Sequence, residues 1–249
     1  MNNIFNGDNR FFRALGKIVD CIFLSILFIG CSIPMMFAGY MFFGVIRLGN
    51  PLTIIDLLIF LAGGSLAMLF VGPALSALYY VAVKNLRHGH GYAWSEYWHG
   101  YKDSFKQGAA CGVILYFILF VLCLDTYYIY MNYYNGAFGA ICWVFLIIFL
   151  FVIMWATYIF SYIARFENTT SAILKNSMLI MIASLPKSFA QAVMFLIIAL
   201  AVYFVWPSIF IFPAAYMVSK SYILEKTLRK YMSEEDIAAE DERNQEFKN

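Results

Sequence analysis

The chain has 249 residues, of which 63% are hydrophobic, 19% aromatic and only 13% charged, whereas a soluble domain runs near roughly 45–50% apolar and about 25% charged. That balance excludes an ordinary water-soluble globule, and the length leaves no room for a separate catalytic domain beside a helical membrane bundle. A formal charge of +2 with no dense Arg/Lys face excludes a nucleic-acid surface.

A membrane-crossing helix needs about 20 mostly apolar residues. The first such run covers about residues 18–46 and contains Pro34. It is too long for a signal-peptide core and lacks a clear small-residue cleavage site, so it reads as a retained span. A short loop with Arg47, Gly49, Asn50 and Pro51 leads to a second run, 52–83, with flexible points at Gly63-Gly64 and Gly72-Pro73. The third run is 109–130 and the fourth 138–164. The fifth is 187–206, after which Pro207 turns the chain into a shorter sixth, 207–224, from which Lys220 would snorkel to the interface. The expected fold is all-α: a polytopic bundle of about six spans in one domain, residues 1–231, followed by an acidic cytoplasmic tail, 232–249, that reads as disordered.

Charge sets the expected orientation. With six spans, every Lys and Arg of the 17 except Arg47 falls on one side, and such residues concentrate in cytoplasmic loops. Both termini are therefore expected in the cytoplasm, with the bilayer as first partner.

Three segments on that side are amphipathic. Phe11, Phe12, Leu15, Ile18 and Val19 recur at helical spacing among Arg10, Arg13 and Lys17. In the next loop Trp94, Tyr97, Trp98, Tyr101 and Phe105 fall at i, i+3, i+4, i+7 and i+11, an aromatic stripe on one face. Asn168 or Thr169 caps a third helix through about Ser184, ended by Pro186. All three read as interfacial helices on the inner leaflet. Ser104–Gly108 and Ser188–Ala192 are similar entries into spans, and Phe212-Pro213-Ala214 echoes Gly72-Pro73-Ala74. The implied plan is three hairpins, each introduced by an interfacial helix.

Few residues carry chemistry. The five cysteines all lie in apolar runs without metal-ligand spacing and read as small hydrophobes. His88, His90 and His99 share one loop with Glu96, but no pair has the i, i+4 spacing of H-E-x-x-H; the loop reads as solvated, and neither metal nor cofactor is expected. Asp125, beside Thr126, Tyr127 and Tyr128, is the candidate intramembrane polar site, because an ionisable group at depth marks a pathway by default. Asp20 and Asp56 fall near span starts. Arg165 and Glu167 read as an ion pair pinning the corner after the fourth span, or as a contact to lipid or a partner. No nucleophile elbow, P-loop or dinucleotide fingerprint is present, so no enzymatic activity is expected.

Phe5-Asn6 before Phe11-Phe12, Gly72-Pro73-Ala74-Leu75 before Tyr79-Tyr80, Trp98 and Phe105, Arg165-Phe166-Glu167-Asn168, and Pro213-Ala214 stand in an order that resembles the YesL-like family of uncharacterised bacterial membrane proteins. The resemblance spans most of the chain apart from the acidic tail. It implies a plasma-membrane protein, mostly of Gram-positive bacteria, encoded near carbohydrate ABC transporters and glycan-degrading enzymes, and it carries over no catalytic residues. The expected function is a non-enzymatic accessory of carbohydrate ABC uptake, docking on permease subunits, with Trp94, Tyr97, Trp98, Tyr101, Phe105, Arg165 and Glu167 as the candidate contacts to a partner or to lipid. The alternative is a small-molecule transporter in its own right, suggested by breaks at Pro34, Gly63-Gly64 and Gly72-Pro73, since transporters place midplane sites at discontinuous helices.

Overall fold

The computed structural model describes residues 10–47, 53–87, 91–133 and 139–232, with 234–235, 237–238 and 241–242 of the tail. All described elements are helical, with no strand among the described residues. In chain order they are α1 (Arg10–Arg47), α2 (Ile54–Val81) with a π-helical continuation (Ala82–Arg87), α3 (Ala93–Asp103), α4 (Phe105–Tyr133), α5 (Gly139–Ile163), α6 (Thr170–Ala183), α7 (Leu185–Phe204) and α8 (Phe212–Leu228).

Five stretches are long and apolar enough to cross a membrane: Leu15–Val45, Ile54–Arg87, Phe105–Ile129, Trp143–Ile163 and Leu185–Phe204. The expected sixth falls short. At 17 residues, α8 is about 25 Å long, less than the roughly 30 Å of a hydrocarbon core. The basic segment expected to precede the first span is continuous with it, since α1 begins at Arg10.

The expected breaks are also absent. α1 runs through Pro34, and α2 runs through Gly63-Gly64 and Gly72-Pro73. A proline inside a membrane helix is tolerated where neighbours compensate, and here Gly64 and Gly72 lie against α4 while Gly63 has open space around it. A Cβ on Gly108 of α4 would stand 2.9 Å from the backbone of Pro73, so α2 and α4 meet backbone to backbone. Asp56 has a local role: Thr53 and Asp56 form a reciprocal cap at the start of α2, with the Thr53 backbone N–H donating to Asp56 Oδ2 at 3.0 Å.

Packing is concentrated at one end of the bundle. The second half of α2, from Val71 to Val81, is almost wholly buried, together with Leu24 and Ser25 of α1 and Tyr158 to Ile163 of α5. The other end is apolar and exposed, through Ile33 to Phe43, Ile54 to Leu66 and Trp143 to Ile148. α6 packs back along α5, through Trp155 Nε1 donating to Ser177 Oγ at 3.1 Å and Asn176 Nδ2 donating to Tyr162 OH at 3.1 Å.

α8 takes a crossing path. The Ala214 N–H donates to Ser25 Oγ of α1 at 3.2 Å, Lys220 Nζ lies 5.3 Å from the Tyr79 ring of α2, and Glu225 meets Arg165 just past α5 at 2.9 Å. Lys187 Nζ donates to Thr227 Oγ1 at 2.8 Å, tying the base of α7 to the end of α8. The tip of this hairpin therefore lies beside Ser25, about 33 Å along α1 from Arg47 at 1.5 Å per residue.

Candidate functional site

Long polar side chains in an apolar bundle must find partners inside it. At the packed end, Glu225 of α8 accepts from Tyr79 OH at 2.9 Å and pairs with Arg165 at 2.9 Å, with side-chain exposures of 4% and 15% for Glu225 and Arg165. One carboxylate thus joins α2, the end of α5 and α8. Arg165 Nη2 also lies 3.7 Å from Met232 Sδ. Lys220 is 1% exposed and donates to the Thr157 carbonyl at 2.6 Å. Contrary to the expectation from sequence it does not snorkel, because α8 buries that face against α2 and α5.

Above this cluster opens a cleft of about 470 Å³, lined by Ser76 and Tyr80 of α2, Gly100 and Asp103 of α3, Ser104, Gln107 of α4, and Ile163 to Glu167. Its size suits a small molecule. Much of its donor capacity is already used: Ser104 Oγ donates to the Gly100 carbonyl at 2.6 Å, and Gln107 Nε2 to the Asn168 carbonyl at 2.9 Å. Nothing there forms a nucleophile–base pair, and no metal-holding group of His, Cys, Asp and Glu occurs among the described residues.

The aromatic stripe forms as the spacing predicts, but it serves the protein's own core more than a partner. Tyr97 is fully buried, its hydroxyl 3.8 Å from Cys31 Sγ of α1, and burial, then Cys31, pushes its phenol well above the usual range. Trp98 and Tyr101 are half-buried, and Gly100 seats α3 against Tyr80 and Ala77 of α2. The rings pack in series, edge to face for Trp94–Trp98 at 5.7 Å and Trp98–Tyr101 at 5.4 Å, and tilted for Tyr101–Phe105 at 5.8 Å. Only the ends face outward, Trp94 at 53% and Phe105 at 41% exposure. An amphipathic helix that can bury its apolar face on its own bundle does so.

The Arg165–Glu167 pin is corrected. Glu167 is exposed and makes no ion pair among the described residues, while Arg165 takes Glu225. Asp125 is exposed on α4 and gathers no partner among the described residues; Thr126, expected beside it, donates to its own helix at the Leu122 carbonyl, 2.7 Å away. His99 pairs with Asp103 at 3.1 Å on an exposed face; His88 and His90 lie outside the described residues. Among the described residues the tail meets the bundle through Met232, beside Arg165, and through Asp241, which pairs with Arg229 at 2.7 Å; Ser233, Asp236, Ala239, Glu240 and 243–249 lie outside the described residues, as do Phe5 and Asn6.

Sequence reading missed Glu225, Gln191 and Tyr216, and placed Lys220 at the interface rather than in the core. The available signal was Lys220 and Glu225 within one largely apolar helix, which marks a buried polar face as readily as an interface.

Residues 21–126 match the sequence model of a family described as "Protein of unknown function, DUF624", less than half of the chain. No curated protein and no solved structure matches.

Proposed function

We propose that this chain is a multi-pass plasma-membrane protein with both termini in the cytoplasm, acting without chemistry of its own as an accessory of a carbohydrate ABC importer. The observation that carries the reading is the packed end of the bundle, where α2, the end of α5 and α8 meet at Glu225 and α3, packed on α2, leaves Trp94 and Phe105 exposed. The basic residues cluster at this end, so the bias of Lys and Arg toward the cytoplasm orients it inward. A rigid unit with two aromatic anchors suits docking, since buried aromatics dominate many interfaces. The carbohydrate assignment rests on the resemblance to the YesL-like family. The transporter reading loses its motive where α1 and α2 run unbroken through Pro34, Gly63-Gly64 and Gly72-Pro73.

Affinity purification of the tagged protein in mild detergent tests this reading. Stoichiometric recovery of permease subunits of a carbohydrate ABC transporter is expected, with recovery lost in Trp94→Ala/Phe105→Ala while membrane insertion is kept. A purified protein that alone moves labelled sugar into liposomes overturns it.

A further inference from the structure

An apolar groove of about 210 Å³ opens between α1 and α4, with Phe60 and Met68 of α2 on its floor and Phe149 of α5 at one side. Phe42 of α1 and Phe60 meet edge to face at 4.8 Å, and Tyr116 and Phe120 stack at 5.9 Å along the α4 wall. Glycine shapes both walls. A Cβ at Gly64 would run into the Tyr116 ring; without one, the ring lies against α2 and its hydroxyl donates to the Phe60 carbonyl at 2.8 Å. On the opposite wall a Cβ at Gly39 would meet no atom within 4 Å.

The depth of the groove is that of a single leaflet. Along α1 it runs from Met35 to Phe42, about 18 to 8 Å short of Arg47 at 1.5 Å per residue, inside one half of a hydrocarbon core of roughly 30 Å. It is continuous with span surface that is exposed and apolar, through Met36 and Phe37 on α1, Phe117 on α4 and Leu146 on α5. Its one hydroxyl among the described walls, that of Tyr116, already donates to backbone. A neighbouring helix, about 10–12 Å across with its side chains, is too wide for this space. An apolar cavity of about 150 Å³, by contrast, takes a benzene-sized guest and excludes water. The thioethers of Met35 and Met68 adapt to a guest of irregular outline.

We propose that this groove is a lipid site, holding one acyl chain of a phospholipid from the leaflet at the Arg47 end. Recognition is by the chain alone. No charged side chain lines the described walls, so the headgroup stays outside the groove and is not selected. The chain supplies the dispersion contacts that an unfilled groove forfeits and ties α1 to α4. The inference rests on the spans crossing a bilayer and is independent of any importer.

The test is native mass spectrometry of the full-length protein, delipidated in detergent and then supplied with phosphatidylglycerol or phosphatidylcholine of identical chains. One lipid is expected to stay bound through activation that strips all others, with the same occupancy for either headgroup. Gly39→Leu fills the groove from a position with open space and should cut that occupancy about tenfold, the worth of roughly two buried methylenes. It should melt no lower than the delipidated wild-type protein. Gly30→Leu, equally unobstructed on the same helix but outside the groove, should keep the lipid. Ala38→Leu, which narrows the same groove, decides the matter if Gly39→Leu does not fold. Benzoylphenylalanine in place of Phe149, activated in native membranes, should yield lipid adducts, and an adduct to another polypeptide overturns the proposal. So does loss of every lipid together from the wild-type protein, or retention unchanged in Gly39→Leu and Ala38→Leu. Retention of phosphatidylglycerol alone would place recognition at a charge and overturn it as well.

Discussion

Arg165 stands where a helix ends, where a cleft opens and where two distant segments must be held together. Its pairing with Glu225, both largely withdrawn from water, makes the two side chains unequal to a surface pair, which is worth about 0–1 kcal/mol. Removing one partner of a buried pair leaves the other charge uncompensated at a cost of about 3–5 kcal/mol. Arg165→Met and Glu225→Met are each expected to lose that order of stability in detergent unfolding, and the double variant should lose less than the two losses added. Tyr79→Phe, which removes one hydrogen bond to the same carboxylate, should cost about 1.5–3 kcal/mol, and exposed Glu167→Gln under about 0.5 kcal/mol. Glu167→Gln matching Arg165→Met in a denaturation series would restore the local pin. The sequence marks Arg165 as important, because a cation closing an apolar run must be placed deliberately. It cannot name Glu225, because that pairing depends on how α8 crosses the bundle.

Helix existence is legible in the chain because each apolar run is long, and the α3 stripe because five rings share a helical period. What glycine does within a helix is not, since flexibility and close contact leave the same letter. Gly72 and Gly64 separate the two cases. A Cβ at Gly72 would run into the Gly108 carbonyl oxygen, which is backbone and cannot step aside. A Cβ at Gly64 would meet only the tip of the Tyr116 ring, a side chain that can rotate away at the loss of its 2.8 Å hydrogen bond to the Phe60 carbonyl. Gly72→Ala is therefore expected near the upper end of the about 1–3 kcal/mol that overpacking costs. Gly64→Ala should cost about 1 kcal/mol, the net worth of the hydrogen bond. Unfolding in mixed micelles reads both, and equal losses would mean that α2 and α4 slide apart freely at Gly72.

At the scale of the molecule, five span-length stretches leave the termini on opposite sides if all of them cross, and Arg229 and Lys230 would then lie with Arg47 outside. The structure offers a resolution in the α7–α8 hairpin, whose tip bonds to Ser25 of α1 about 33 Å short of Arg47. A hairpin that enters from the inner side and turns back at that depth keeps every cation but Arg47 with the others, as the charge bias requires. Its exposed apolar residues, Tyr203 and Phe204 among them, then face lipid. Single cysteines in a Cys-free background distinguish the arrangements on intact cells with an impermeant maleimide. Arg47→Cys is expected to label from outside, and Lys175→Cys and Glu235→Cys only after permeabilisation. Tyr203→Cys should stay unlabelled from outside, because the hairpin turn that follows it bonds to Ser25 through Ile211 and Ala214, about 33 Å short of Arg47. Labelling of Tyr203→Cys as fast as Arg47→Cys would make α7 a full crossing, and the return of the chain through α8 would then have to carry Lys220 and Glu225 back across the bilayer.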